Sequence, residues 1–395
     1  MRCGCSRPDG DRYLAVFHLM HHLRECDEES AYHYSRAAAT LAAFLAEKTA
    51  FFGEDSPPSQ LDMCWTAAIL LRHVLQLVCN AHAPTKLIPV PTEGSVAQLS
   101  EERIATAIYP SASYMNHACD PSIINSFWER TLIVRNVKPL RAGEEVFHCY
   151  GPHHARAPPD VRRRELQEQY HFTCPCRHCT RPELRRRLEE LSSLRCLECG
   201  GVTLPSAAGG QPRLCVSCGY SAHYGAREAR LQQIQAEALD VCDAAASAGS
   251  ADRSRTALRR LDALLSEAQG LASATHEALH ALHDQRARLC TQLGEPDRAL
   301  DSLRRNVSSV EARYGTDSVE LGNLLLTVTD LLMAAWRVAD TGTARSNASR
   351  ELRKTAERGL AIFSIHYGSW SGAYQDLRRK LLTVSLAAGP PSPSQ

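Results

Sequence analysis

Tyr114-Met115-Asn116-His117-Ala118-Cys119-Asp120-Pro121 and, further along, Gln169-Tyr170-His171-Phe172-Thr173-Cys174-Pro175-Cys176-Arg177-His178-Cys179 are the stretches on which the reading of this chain turns. The second holds three cysteines in CxCxxC form. Three thiolates do not complete a tetrahedral metal site, so a fourth ligand has to come from elsewhere. His178 is a local candidate, although its place beside Cys179 is awkward. Beyond it, Cys196-x2-Cys199 and Cys215-x2-Cys218 are separated by fifteen residues. At that spacing two knuckles can set four thiolates around one Zn2+. Gly200, Gly201 and Gly219 follow the knuckles, where tight turns favour positive φ. Four protein ligands leave no open coordination position, so such a zinc is structural.

Outward from these motifs, strand character is confined to the middle of the chain. Ser122–Trp128 and Leu132–Val137 are β-branched runs joined by Glu129-Arg130-Thr131, a hairpin pattern, and Glu145–Cys149 reads as a third short strand. Ahead of them, Tyr13–Leu23, Ser30–Phe52 and Leu61–Cys79 carry helical periodicity, and residues 83–100 read as irregular. Asp160–Tyr170 returns to helix. The arginine runs Arg162-Arg163-Arg164 and Arg185-Arg186-Arg187 are expected on exposed helix faces, and His153-His154 in a solvated loop. From Arg227 the pattern is helical, with breaks expected near Gly249, Gly270, Gly294-Glu295-Pro296, Gly315, Thr341–Ser349 and Gly368. The echo of Ala312-Arg313-Tyr314-Gly315 in Ile365-His366-Tyr367-Gly368 suggests stacked helical hairpins of tetratricopeptide type.

The chain has 395 residues, 44% hydrophobic and 23% charged, which predicts a globular protein of two or three domains. Forty-five basic against forty-four acidic residues leave a net charge of +1. Neither that balance nor the surroundings of Cys196–Cys218 suggests direct nucleic-acid binding. No apolar leader is seen, because His18, His21 and His22 interrupt Tyr13–Leu23. Trp65–Cys79, the longest apolar stretch, falls short of a bilayer's width and carries Arg72 and His73, so a buried helix is expected and no membrane partner. Sixteen cysteines without a secretory leader point to metal rather than disulfides.

Taken together, residues 104–179 resemble the later part of a SET domain with its post-SET zinc module, and the chain as a whole resembles the SET-and-MYND family of lysine methyltransferases. The resemblance rests on Ile108-Tyr109-Pro110, the Asn116–Pro121 motif, Ala142-Gly143-Glu144-Glu145 leading to Tyr150-Gly151, and the stretch from Gln169 to Cys176. Ala118 stands where the family commonly has serine. Neither a glycine-containing cofactor loop nor a MYND zinc module is legible ahead of residue 80, so the chain is read as lacking the N-terminal SET strands and that module. The fold class is accordingly α+β. It comprises a helical insert region (1–82), a partial SET-type β core (83–155), a post-SET zinc module (156–182), a CxxC/CxxC zinc module (190–224), a tetratricopeptide-like helical domain (227–388) and a disordered tail (389–395).

The resemblance implies a protein-lysine N-methyltransferase that uses S-adenosylmethionine on a histone or non-histone lysine, in cytoplasm and nucleus. It makes Cys119 the fourth ligand of a first structural zinc with Cys174, Cys176 and Cys179, beside a second zinc at Cys196, Cys199, Cys215 and Cys218. Asn80, Ala81, Asn116, His117, Tyr150 and Phe172 would contact the cofactor. Tyr150 would be the catalytic-pocket tyrosine and Tyr170 would line the lysine channel. The alternative is a catalytically inactive, truncated SET scaffold whose helical repeats bind a partner peptide or protein. Alone, Tyr150 is most often a packing residue and Asn116-His117 a turn; their company of cysteines reverses those odds.

Overall fold

The computed structural model describes residues 9–53, 57–90, 98–205, 212–248, 250–339 and 342–387, so the tail expected at 389–395 and Gly249, where a break was expected, lie outside the described residues. The chain divides into two compact units, Met1–Lys86 with Glu102–Thr180 and Leu87–Glu101 with Arg181–Gln395.

The first unit opens with three helices, α1 (Asp9–Phe17), α2 (Glu28–Lys48) and α3 (Gln60–Asn80). Asp27 caps α2 by accepting from the Ser30 N–H at 2.8 Å. Ser59 and Asp62 form a reciprocal capping box that starts α3. Gln76, fully buried on α3, donates to the carbonyls of Val16, Phe17 and Leu19, each at 2.9 Å. The Arg72 guanidinium reaches Phe17 O from the same face. Two polar side chains of α3 thus satisfy carbonyls left open where α1 ends.

Short sheets follow. Strands β1 (Ala81–His82) and β4 (Ala107–Ile108) pair antiparallel, with Ala81 opposite Ile108. Between them in sequence, where an irregular segment was expected, β2 (Thr85–Val90) pairs with β3 (Gln98–Arg103), a ribbon that belongs mostly to the second unit. The prolines of this stretch disguised it, but a two-stranded ribbon is all edge and tolerates missing N–H donors. After the single turn α4 (Pro110–Ser113), β5 (Ile123–Trp128) and β6 (Thr131–Asn136) form the expected hairpin, turning at Glu129 with φ 51°. Glu145–Cys149 is not a regular strand. It contributes one parallel bridge, His148 to His117, with His148 N donating to Asn116 O and Ala118 N to His148 O. Helices α5 (Pro159–Tyr170) and α6 (Arg177–Thr180) close the unit, α5 ending on His171 at φ 56°.

In the second unit, after α7 (Pro182–Leu191), strands β7 (Thr203–Pro205), β8 (Arg213–Cys215) and β9 (Ser221–Ala222) form a small antiparallel sheet. Seven helices complete it: α8 (Gly225–Ala248), α9 (Ala251–Leu271), α10 (Glu277–Gln292), α11 (Pro296–Tyr314), α12 (Val319–Val338), α13 (Gly342–His366) and α14 (Gly372–Ala387). Each packs on its successor around one apolar core that includes Leu261, Leu282, Leu303, Leu325 and Phe363. Gly322 is the close approach of α12 to α13: a Cβ there would lie 2.8 Å from Ile362 Cγ2. The break expected near Gly270 falls just after it, where α9 ends at Leu271 and α10 begins at Glu277. That expected over Thr341–Ser349 is shorter: α12 ends at Val338 and α13 runs from Gly342 through Ser349, because buried Leu352 and Ala356 on the same helix outweigh a polar start.

Both α3 and α12 are long and apolar enough, by length and composition, to cross a membrane. The Ser59 cap makes α3 longer than the apolar run alone suggests. It is not the buried helix expected: Leu61 and Trp65 are 65% and 64% exposed.

Candidate functional site

The bridge between His117 and His148 brings the Asn116-His117-Ala118-Cys119 segment against the chain entering Tyr150. Helix α5 then returns the chain so that Tyr170, Phe172 and the CxCxxC turn face the same place. The Sγ atoms of Cys119, Cys174, Cys176 and Cys179 lie within 4.8 Å of one another. Cys119 Sγ is 3.5 Å from Cys179 Sγ and 3.8 Å from Cys174 Sγ. A tetrahedral zinc with bonds of ~2.3 Å spaces its sulfurs by about 3.8 Å, so the group fits Zn2+ in number and spacing.

The electrostatics fit as well. Arg162, only 1% exposed, directs Nη2 to Cys179 Sγ at 3.4 Å and to His178 O at 2.7 Å, and Nη1 to Ala157 O. Burial opposes its charge, but hydrogen bonds to Cys119 and Cys179 outweigh that penalty and keep the guanidinium charged. A buried cation with sulfur partners and no carboxylate is what a tetrathiolate centre of net negative charge would offset. The expectation that the arginine run lies on an exposed face therefore fails at Arg162, and Arg163 donates to Cys179 O at 2.6 Å. The signal was available: Arg162, Leu166 and Tyr170 recur at helical spacing, so the face that carries Tyr170 also carries Arg162.

An aromatic cluster adjoins the thiols. The His117 ring lies 5.3 Å from Tyr150 and 5.9 Å from Phe172, and Tyr150 lies 4.8 Å from Tyr170. Tyr170 donates its hydroxyl to Tyr150 O at 3.1 Å, and Tyr150 donates its own to Met115 O at 2.8 Å. Burial raises both phenols, Tyr170 to about 12 with Tyr150 adding to the effect. Burial also pushes His117 down to about 4, so its ring is neutral. Its Nδ1 accepts the Tyr150 N–H at 3.0 Å, and its Nε2 faces Cys119 Sγ at 3.3 Å.

The other site residues are placed differently. Asn80 turns its amide to Met20 O at 2.8 Å and Gln76 O at 2.9 Å. Ala81 is the C-cap of α3. Asn116 is exposed and donates to Glu145 Oε1 at 2.6 Å. His117, Tyr150, Tyr170 and Phe172 thus form one cluster, and the side chains of Asn80 and Asn116 are engaged elsewhere. A cavity of about 430 Å3, lined by His22, Cys79, Gln169 and His171 among others, borders this region. Across it His22 and His171, both at positive φ, set their rings 5.1 Å apart. Nothing in the local motif around His22 announces that pairing.

The expected solvated His153-His154 loop is corrected too: His154 is half-buried, its ring 4.0 Å from that of His178. Both imidazoles face Asp120, which also pairs with Lys138 and Arg177. Burial opposes ionisation of Asp120, but bonds from His178, Lys138 and Arg177 prevail and hold its carboxyl well below the usual range. With two cations already on one carboxylate, these groups form an ion-pair node tying α6 to the Cys119 segment.

In the second unit, the Sγ atoms of Cys196, Cys199, Cys215 and Cys218 also lie within 4.8 Å of one another. Cys196 and Cys218 are 3.7 Å apart, Cys199 and Cys215 3.5 Å. Gly200 and Gly219 adopt φ of 71° and 75° directly after the knuckles. Backbone N–H groups, that of Cys199 foremost, draw the Cys196 thiol down to about 6. This donor set also fits Zn2+.

Comparison with known proteins agrees with the geometry. Residues 21–151 match the SET domain family, the span that ends just past Tyr150. The chain is 28% identical over 410 residues to a human protein-lysine N-methyltransferase SMYD4, covering 99% of this chain and 48% of that one. It is 30% identical to the Danio rerio protein of the same name, covering 82% of this chain and 47% of the relative. It is 26% identical to human N-lysine methyltransferase SMYD2 over 48% of this chain and 37% of that one. This is a SET-domain protein. Within that class, the run of similar SMYD4 and SMYD2 sequences places the chain in the SET-and-MYND family. The chain spans about half the length of the SMYD4 relatives.

Proposed function

We propose that this chain carries the methyl-transfer site of a protein-lysine N-methyltransferase acting on a histone or other protein. The observation that carries the reading is the cluster of His117, Tyr150, Tyr170 and Phe172 held against a four-cysteine group, with His117, Cys119 and Tyr150 within the residues matched to the SET domain and the rest just after them. S-adenosylmethionine, when bound, supplies the activated methyl group. The residues of this chain have to present a neutral amine to it. A free lysine has a pKa of ~10.4, so deprotonation near pH 7 costs ~4 kcal/mol. The half-buried walls of Tyr150 and Tyr170 disfavour the ammonium by desolvation. Their hydroxyls are already fixed on Met115 O and Tyr150 O, which sets the channel's shape before substrate arrives. Positioning then supplies much of the rate. The neighbouring cavity, in the size range of small-molecule sites, supports cofactor binding beside Cys79 and His171.

In the same reading residues 156–182 act as a post-SET module that the first zinc ties down, and 227–388 as a tetratricopeptide-like array offering a groove to a partner peptide. Cytosol and nucleus are the expected locations. Calorimetric titration of S-adenosylmethionine into the zinc-loaded chain tests the proposal, with Tyr150→Phe and Phe172→Ala compared. Micromolar binding weakened by Phe172→Ala supports it. Absence of heat from folded protein holding two zincs turns the reading to the scaffold alternative.

A further inference from the structure

The two nitrogens of His117 face in different chemical directions. Its ring is buried at 6% exposure and stands between Tyr150 and Phe172. Nδ1 accepts the Tyr150 backbone N–H at 3.0 Å, so it carries no proton. A neutral imidazole then bears its single proton on Nε2, which faces Cys119 Sγ at 3.3 Å. Cys119 is one of the four thiols that fit a zinc, and a metal-bound thiolate is an acceptor for that N–H. Arg162 donates to Cys179 of the same group and also bonds Cys119. Of these hydrogen-bonding partners, His117 is the one whose other edge holds a residue of the aromatic cluster.

We propose that His117 is a positioning residue which joins the first metal site to Tyr150: one edge of its ring holds the Cys119 thiolate and the other holds the backbone of Tyr150. Zinc then does more than staple the CxCxxC turn. Its presence fixes the Cys119 sulfur, the sulfur fixes the imidazole, and the imidazole fixes the tyrosine. The further consequence, that zinc loss weakens S-adenosylmethionine binding, rests on the methyltransferase reading; the coupling itself does not.

Two substitutions separate the edges. In His117→Asn the side-chain oxygen can stand where Nδ1 stood and still accept from Tyr150, but nothing reaches Cys119. In His117→Gln the longer amide can still donate to Cys119, but nothing accepts from Tyr150. Two readouts on folded, metal-loaded chain follow each edge. Cadmium NMR gives one resonance per tetrathiolate site, and hydrogen exchange reports the Tyr150 amide. His117→Asn is expected to shift one of the two cadmium resonances and leave the Tyr150 amide protected. His117→Gln is expected to leave both resonances in place and speed Tyr150 exchange by roughly 10-fold, the scale of second-shell effects. Stripping the metal from the unsubstituted chain should speed that amide by at least as much. Unchanged Tyr150 exchange in both His117→Gln and metal-free protein would overturn the proposal. If the exchange and cadmium results hold but the unsubstituted chain takes up no S-adenosylmethionine, the coupling stands and the methyltransferase reading falls.

Discussion

The two units of this chain are held together in different ways. In the second, one continuous apolar core runs through seven helices, from Leu231 and Ile234 to Leu377 and Val384. In the first, the buried cluster at the site contains Leu166 and three cysteines, with Tyr150, Tyr170, Phe172 and Cys176 packed around it. Its helices are joined as much by polar contacts, such as Gln76 and Arg72 on the end of α1, as by burial. An apolar core is spread over many side chains and degrades gradually. A core built on four thiolates depends on one ion, and that is the difference the predictions probe.

The largest effect is expected from the metal. A structural zinc contributes on the order of 10 kcal/mol to a small fold. Cys174→Ser should lower bound zinc from two to one per chain and erase hydrogen-exchange protection across 104–180, while α9 to α13 stay protected. Equal loss in both units would end the contrast.

How much of this was legible without coordinates follows the same division. The Cys196–Cys218 group could be read because metal ligation imposes spacing on the sequence, and the 123–136 hairpin because β-branching marks it; in the first group spacing showed only Cys174, Cys176 and Cys179, and Cys119 came from the family resemblance. The second unit's helices followed from periodicity, yet Thr341–Ser349 misled, since tertiary packing overrode a polar, turn-like composition. Arg162 was hidden in a run of three arginines, where composition says "surface" and only the phase of α5 says which one turns inward. The Asp120 node was hidden for another reason. Its partners Lys138, His154, Arg177 and His178 are scattered along the chain, and no local pattern announces a meeting of that kind.

A smaller effect is expected in the apolar core. Leu261 is fully buried on α9, and Leu261→Ala should cost ~2–5 kcal/mol. Melting followed by circular dichroism should show the helical transition moving down, with both zincs retained. Zinc loss at the first site on this substitution would mean that the units do not respond separately.

Acid should distinguish them more gently. Burial pushes His148 in the first unit and His283 in the second each down to about 4. An unfolded histidine takes its proton near pH 6.5. Between those values the unfolded chain binds more protons, so stability is full above pH 6.5 and is lost as pH falls toward 4. The first unit also holds His117 and His154, both depressed by burial, and a thiolate group that acid discharges. Exchange protection around 104–151 should therefore fail at a higher pH than protection around 321–363. The reverse order would show that the helical core, not the metal-bound unit, is the acid-labile part.

The smallest effect is expected where burial is least. Leu61, Trp65 and Ile69 recur every four residues on α3 and are 65%, 64% and 40% exposed. Substitution of a side chain that touches little in the fold usually changes stability by less than ~0.5 kcal/mol. Trp65→Ser should leave the melting temperature and the zinc content of this chain unchanged. A cost of ~2 kcal/mol or more would place Trp65 in a packed environment in solution. The first unit would then own a second apolar surface, and its dependence on the four thiolates would be correspondingly weaker.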